Sequence, residues 1–256
     1  MQQIDILAIA AHPDDVELAC AGTMLMAKRD GKRTGIVDLT RGELSTRGTL
    51  ETRARETDAA TKILGLDYRA NLGIHDGNIE LSQENLKLLI VQIRKTRPTI
   101  LLAPSKFERH PDHEAAAELA HRVAFYAGLA KIETTDDDGT KQEPHRPLLV
   151  LHYMQSYSFE PKLIIDVTPV FEERMRAMEA YGSQFSTHST PQPPPLARGG
   201  GVERETFLSQ SGFFEWLTAR ASHYGMRIGT RFAEPFWTQE TIGTKDVFSV
   251  VTKTIA

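Results

Sequence analysis

Along the first half of this chain, short apolar runs alternate with amphipathic stretches of helical length. No other feature of the sequence constrains its fold as tightly. Ile4–Ala11 is a compact apolar run and reads as a buried strand. From Val16, the apolar or small residues Ala19, Cys20, Met24 and Ala27 recur at offsets of 3, 4, 8 and 11, one face of a helix that Gly31 closes. A strand over Thr34–Leu39 follows, then a helix from about Leu50 to Leu64 that stops at Gly65. Leu86, Leu89, Ile90 and Ile93 mark a third helix ending before Pro98. Thr99–Ala103 reads as a strand, and Ala116, Leu119, Ala120 and Val123 mark a fourth helix. Strands are expected again at Leu148–Tyr153 and Leu163–Val167, with a helix from about Pro169 to Tyr181. A last helix is expected around Phe207–Ser222 and a final strand near Val247–Val251. Strands alternating with helices predict parallel βαβ units, hence an α/β helix–sheet–helix sandwich with a mostly parallel sheet.

At 256 residues the chain is long enough for one α/β domain with a substantial core, and residues 1–256 are read as that single domain. Two segments break the rhythm. Thr134–Pro144 is polar and acidic and reads as a solvated loop, and Ser186–Gly201 is rich in Pro, Gly and Ser and reads as a loop beside the site. Thirty basic against 34 acidic residues leave a net charge of −4. That balance carries no electrostatic footprint for nucleic acid or an anionic membrane. The single cysteine, Cys20, excludes an internal disulfide and any multi-cysteine zinc site. Neither a basic-then-apolar leader nor an 18-residue apolar run is present, so a soluble cytoplasmic protein is expected.

Ligands of open parallel sheets bind beyond the carboxyl ends of the strands. After the first strand comes Ala11-His12-Pro13-Asp14-Asp15-Val16-Glu17. After Thr99–Ala103 comes Pro104-Ser105-Lys106-Phe107-Glu108-Arg109-His110-Pro111-Asp112-His113. Each cluster alone is readable as a turn whose aspartate caps a helix. Paired at two strand ends, they offer three histidines and three aspartates and favour a three-ligand metal site with an open position. His12 and Asp15 flank a tight turn and can face one ion, with His113 as third ligand. Asp14 is then placed as general base, His110 suits oxyanion stabilisation or protonation of a leaving nitrogen, and Asp112 can orient an imidazole. His75, His121, His145, His152, His188 and His223 stand outside these clusters and read as loop, surface or satisfied core residues, or for His121 as a helix residue. Cys20 lies on an apolar helix face, which favours packing over ligation. No G-x-G-x-x-G follows the first strand, and no P-loop, H-E-x-x-H or G-x-S-x-G is present, which disfavours dinucleotide binding, NTPase, zincin and serine hydrolase chemistry.

At these residues the sequence resembles the PIG-L/LmbE family of metal-dependent N-deacetylases, which have a Rossmann-like fold. Further matching pieces are Thr40-Arg41-Gly42-Glu43-Leu44-Ser45-Thr46-Arg47-Gly48, Thr52-Arg53 with Glu56, Asp76-Gly77-Asn78-Ile79 and Leu163–Thr168. His223-Tyr224-Gly225, Ile228-Gly229 and Ala233-Glu234 resemble the bacillithiol-biosynthesis branch. The resemblance implies a Zn2+ site (Fe2+ in some members) on His12, Asp15 and His113. It also implies Asp14 as base, His110 on the oxyanion, Asp112 tuning it, and Arg53 on substrate. The implied reaction is hydrolysis of the N-acetyl group of an N-acetylglucosaminyl glycoside, N-acetylglucosaminyl malate in that branch, by a homo-oligomer, often a hexamer. A malate aglycone carries two carboxylates, and Arg41, Arg47 and Arg53 follow the second strand, where arginines pair with carboxylates bidentately. Arg53 ranks first because Glu56, one helical turn on, can fix it; Arg47 is the second candidate. The competing readings are deacetylation of another amino-sugar or thiol conjugate, and a non-catalytic metal- or sugar-binding module on the same fold. The chain departs from the family at Ala19 and Ala21, where glycines are usual and where a small packing adjustment is expected.

Overall fold

The structure, a computed structural model, describes residues 3–185, 206–210 and 212–245. Seven strands form one sheet: β1 (Ile6–Ala10), β2 (Thr34–Asp38), β3 (Tyr68–Asn71), β4 (Ile100–Ala103), β5 (Leu149–Tyr153), β6 (Leu163–Asp166) and β7 (Ala233–Trp237). Their order is β3-β2-β1-β4-β5-β7-β6. The first five are parallel, and β7 runs antiparallel to both β5 and β6. The helices are α1 (Asp15–Ala19), α2 (Ala21–Arg29), α3 (Leu50–Leu64), α4 (Gln83–Thr96), α5 (Pro111–Tyr126), α6 (Phe171–Glu179) and α7 (Phe213–Ile228). Among the described residues no helix is long and apolar enough to cross a membrane.

The central strands β1 and β4 are buried almost throughout, so they read as continuous apolar runs. Ile6, Ala8 and Ala10 of β1 join a core with Val16, Met24, Phe171 and Ala177. The intervening Leu7 and Ile9 join a second core with Leu89, Ile93, Leu119 and Val123. That alternation is the period of two along a strand. Local signals bound α3 where the sequence predicts. The Thr49 side chain accepts from Thr52 N at the start of α3, and Gly65 ends it at φ 57°.

Three expectations need correction. The helix expected to run from Val16 to Gly31 breaks at Cys20, whose φ of −145° and ψ of 17° are not helical. The bond that would continue it, from Gly22 N to Leu18 O, is replaced at both ends. Gly22 N donates to Glu234 Oε1 at 2.9 Å, and Leu18 O accepts from Arg174 Nη2 at 2.5 Å and Arg220 Nη2 at 3.1 Å. Cys20 itself is buried in the core, as expected. The demand for a small residue falls on Gly22 and not on Ala19 or Ala21. A Cβ at Gly22 would lie 2.7 Å from Glu234 Oε1 and 2.8 Å from Val167 Cβ, whereas both alanines are accommodated in the core.

The other corrections are the strands β3 and β7, which the apolar pattern does not reveal. β3 is a short edge strand whose Arg69 is buried against Asp38 and Glu17. β7 contains Glu234 and Pro235, and proline argues against an inner strand. It is tolerated because β5 pairs only with Phe236 and Trp237, so Pro235 meets no ladder on that side. The expected Ser186–Gly201 loop, His188 and the Val247–Val251 strand lie outside the described residues.

Candidate active site

The parallel order puts the carboxyl ends of β1, β4, β2, β3 and β5 along one edge, and the chain reverses direction of winding between β1 and β4. Both histidine clusters start at that switch point, where crevices form in such sheets. They converge: the ring centroids of His12, His110 and His113 are 4.8, 5.0 and 5.4 Å apart pairwise. They line a cavity of about 280 Å³ with Asp14, Asp15, Arg53, Asp76, Arg109 and Phe207. A larger cavity of about 770 Å³ lies on the other side of Pro13 and Arg53, but it holds none of the histidines.

Asp15 Oδ2 accepts from His12 N at 2.8 Å and stands 3.7 Å from His12 Nδ1; its Oδ1 lies 3.1 Å from His113 Nε2. His12 Nε2 is 3.0 Å from Asp76 Oδ1 and 3.4 Å from Asp112 Oδ2. That ring edge therefore donates to carboxylates and leaves Nδ1 available to a metal ion, an orientation common to metal-bound imidazoles. The Nδ1 of buried His113 has no hydrogen-bond partner among the described residues. Two imidazoles facing one buried carboxylate, with donor atoms within 4.8 Å of one another, fit a divalent cation. A second grouping, His12, His110 and Asp112, meets the same distance limit. It is the poorer metal set, because His110 Nδ1 already accepts from Asp112 N at 3.2 Å. Gln155 Nε2 donates to Asp15 Oδ1 at 2.7 Å and steadies that carboxylate.

The ionisations follow from this packing. Burial opposes charge on Asp15, but His113 and His12 outweigh it and hold its carboxyl well below the usual range. Burial also opposes a charged His12, yet hydrogen bonds to Asp112, Asp15 and Asp76 raise it well above an ordinary histidine. His110 is pushed down by burial and by the neighbouring imidazoles. With Nδ1 accepting from the backbone, neutral His110 carries its proton on Nε2, which is free to donate.

Asp14 stands apart. It precedes α1 at φ 119°, a conformation costly for a residue with a side chain. Its side chain caps nothing and accepts instead from Arg53 Nη1 at 3.0 Å. Burial pushes its carboxyl up to about 7, against the pull of Arg53. That is the range a general base needs at neutral pH.

Arg53 lines the cavity, but both terminal nitrogens of its guanidinium are engaged within the chain: Nη1 also donates to Pro13 O at 2.5 Å, and Nη2 to Ser45 Oγ at 3.1 Å. Glu56 does not fix it, contrary to expectation; Glu56 accepts from Ser183 N and Oγ, both at 2.7 Å. Arg47 donates to Ser183 O at 3.0 Å and lies outside the cavity lining, while Arg41 lines the larger cavity. Asp112 accepts from Gly77 N at 2.7 Å, and Asp76 from Leu44 N at 2.8 Å. Asp76 is the site residue that residue chemistry alone passes over. It follows β3, the strand the apolar pattern hides, and its only signal is the Asp76–Ile79 piece of the family resemblance.

The family model for PIG-L, described as GlcNAc-PI de-N-acetylase, matches residues 7–124. The diacetylchitobiose deacetylase of Thermococcus kodakarensis is 30% identical over 190 residues, 70% of each chain. The chain belongs to the PIG-L family. Another relative of this PIG-L chain is a probable N-acetyl-alpha-D-glucosaminyl L-malate deacetylase 2 of Bacillus anthracis, 26% identical over 72% of this chain and 83% of the relative. Among solved structures, a conserved protein of Thermus thermophilus superposes with a TM-score of 0.79 at 33% identity, covering 94% of this chain and 97% of the other. The fold is therefore that of LmbE-like deacetylases, as the family resemblance implies, and its α/β layering is the one the alternation of strands and helices anticipates.

Proposed function

We propose that this PIG-L family chain is a metal-dependent N-deacetylase of an N-acetylglucosaminyl glycoside, with N-acetylglucosaminyl malate as the foremost substrate candidate and bacillithiol biosynthesis as the setting. The observation that carries this reading is Asp14: a buried carboxylate beside the ligand set, near neutrality in its ionisation and not used as a helix cap. A metal- or sugar-binding module needs the ligands but has no use for such a base.

His12, Asp15 and His113 are the residues that hold the ion, zinc or iron(II); when bound it supplies polarisation of the amide carbonyl and a water of lowered pKa. Asp14 takes a proton from the attacking water at Oδ1, the oxygen Arg53 does not engage. His110 Nε2–H donates to the acetyl oxygen as negative charge builds there. The carbon–nitrogen bond then breaks, and Asp14 returns its proton to the departing amine, leaving acetate and a free amino sugar. Asp76 and Asp112 hold the His12 ring, and Arg53 holds Asp14 towards the cavity.

The test is acetate release from N-acetylglucosaminyl malate and from diacetylchitobiose, before and after chelation and with zinc or iron(II) restored. Release that vanishes on chelation and returns with metal is the expected result. Release from neither substrate by the metal-loaded protein would overturn the reading.

A further inference from the structure

The catalytic cavity contains a cation that this chemistry leaves unused. Arg109 lies beside His110 at the mouth, exposed and lining the same cavity. Its backbone N donates to Glu108 Oε1, but its guanidinium has no hydrogen bond or ion pair among the described residues. It sits instead 5.3 Å over the ring of Phe207. The arginines that follow β2 do not fill this role: Arg53 is committed to Asp14, Arg47 to Ser183, and Arg41 faces the neighbouring cavity.

Phe207 is a built wall and not a stray exposed ring. It is packed edge to face against Phe213 at 5.6 Å and Trp216 at 6.0 Å. The turn carrying it is closed by reciprocal bonds: Ser209 N donates to Thr206 Oγ1 and Thr206 N to Ser209 Oγ. Leu44 stands in the same lining, its backbone held by Asp76. An aromatic face suits the C–H face of a pyranose, and a guanidinium held over it presents paired donors that match a carboxylate. The acids of the cavity already have close partners in the chain, Arg53 for Asp14, His113 for Asp15 and His12 for Asp76. Among the described lining residues, Arg109 is thus the guanidinium left for a ligand.

We infer that Arg109, seated on Phe207, is a specificity-determining residue that selects an N-acetylated sugar carrying a carboxylate on its aglycone over a neutral oligosaccharide. This rests on the deacetylase reading above and goes further by placing the aglycone at the Arg109–Phe207 wall and not at Arg53.

The experiment measures kcat/KM for N-acetylglucosaminyl malate and for diacetylchitobiose, and takes their ratio. Arg109→Gln is expected to lower that ratio about tenfold or more, the usual weight of a hydrogen bond to a charged group. Arg109→Lys should restore part of it, and Arg109→Glu should reverse the preference. Phe207→Ala is expected to raise KM for the malate glycoside with a smaller change in kcat. A ratio unchanged in Arg109→Gln, or equal losses on both substrates in every variant, would overturn the inference while leaving the deacetylase reading intact. A metal-loaded wild-type protein inactive on both substrates would sink that reading and this inference with it.

Discussion

Two buried arginine–carboxylate pairs in this protein share one geometry and differ in everything that surrounds them. Arg53 Nη1 meets Asp14 Oδ2 at 3.0 Å, and Arg174 Nε meets Glu234 Oε1 at the same distance. Glu234 is fully engaged: besides Arg174 it accepts from Gly22 N, Thr23 N and Thr23 Oγ1 at 2.7–2.9 Å. It thereby serves the free amide groups at the start of α2, where no local side chain caps the helix. Asp14 accepts one bond from Arg53 and sits in a strained backbone conformation beside three metal-ligand candidates, and Arg53 Nε has no partner among the described residues. A fully satisfied buried pair holds structure together, whereas a half-satisfied one at a cavity wall is available for chemistry.

The sharpest way to break this comparison is at Asp14. Asp14→Asn keeps the size of the side chain and tolerates the positive φ, so folding and metal content should be retained. Turnover should fall about 1,000-fold, the middle of the range for a lost general base, or roughly 4 kcal/mol of barrier. Product-amine assays beside metal analysis check it, and near-normal turnover would remove Asp14 from the mechanism.

Glu234→Ala attacks the structural pair. It strands Arg174 in the core, with Gly22 N and Thr23 N also unserved, and should cost about 3–5 kcal/mol of stability. Chemical denaturation measures this, and activity per folded molecule should change far less than in Asp14→Asn. A loss of turnover without a loss of stability would place Glu234 on the functional side of the comparison.

Gly22→Ala should cost less, about 1–3 kcal/mol, because its methyl must displace the Glu234 carboxylate or Val167. Thermal unfolding reports it. An unchanged midpoint would show that the contact between α2 and β7 relaxes freely.

Much of the candidate site was readable because its residues are close in sequence and follow strands the apolar pattern marks. His12, Asp14 and Asp15 fall in one turn after β1, and His110, Asp112 and His113 in one turn after β4. Residues that depend on β3 or β7 were not readable in the same way. Asp76 reaches His12 across 64 residues, and Glu234 reaches Gly22 across 212. Both strands carry charged or proline residues, so their hydrophobic signal is weak, in β7 even though the sheet buries it.

The sequence by itself determined the parallel α/β arrangement, the ends of α3, and the two clusters that bring His12, Asp15 and His113 together in a group that could hold a metal ion. Strand and helix periodicity, caps and turn chemistry act over a few residues, and each can be read locally. Only the tertiary structure decided which arginine each acid would hold. Arg53 and Arg69 lie in or beside the cavities, yet one is committed to Asp14 and the other to Asp38 and Glu17, while Arg109 is left exposed at the mouth of the histidine-lined cavity. The break at Cys20 was decided in the same way, by Arg174, Arg220 and Glu234 arriving from distant elements. The physical reason is the cost of burying charge. A buried ion must be paired wherever the fold places its partner, and neither spacing nor propensity records where that is.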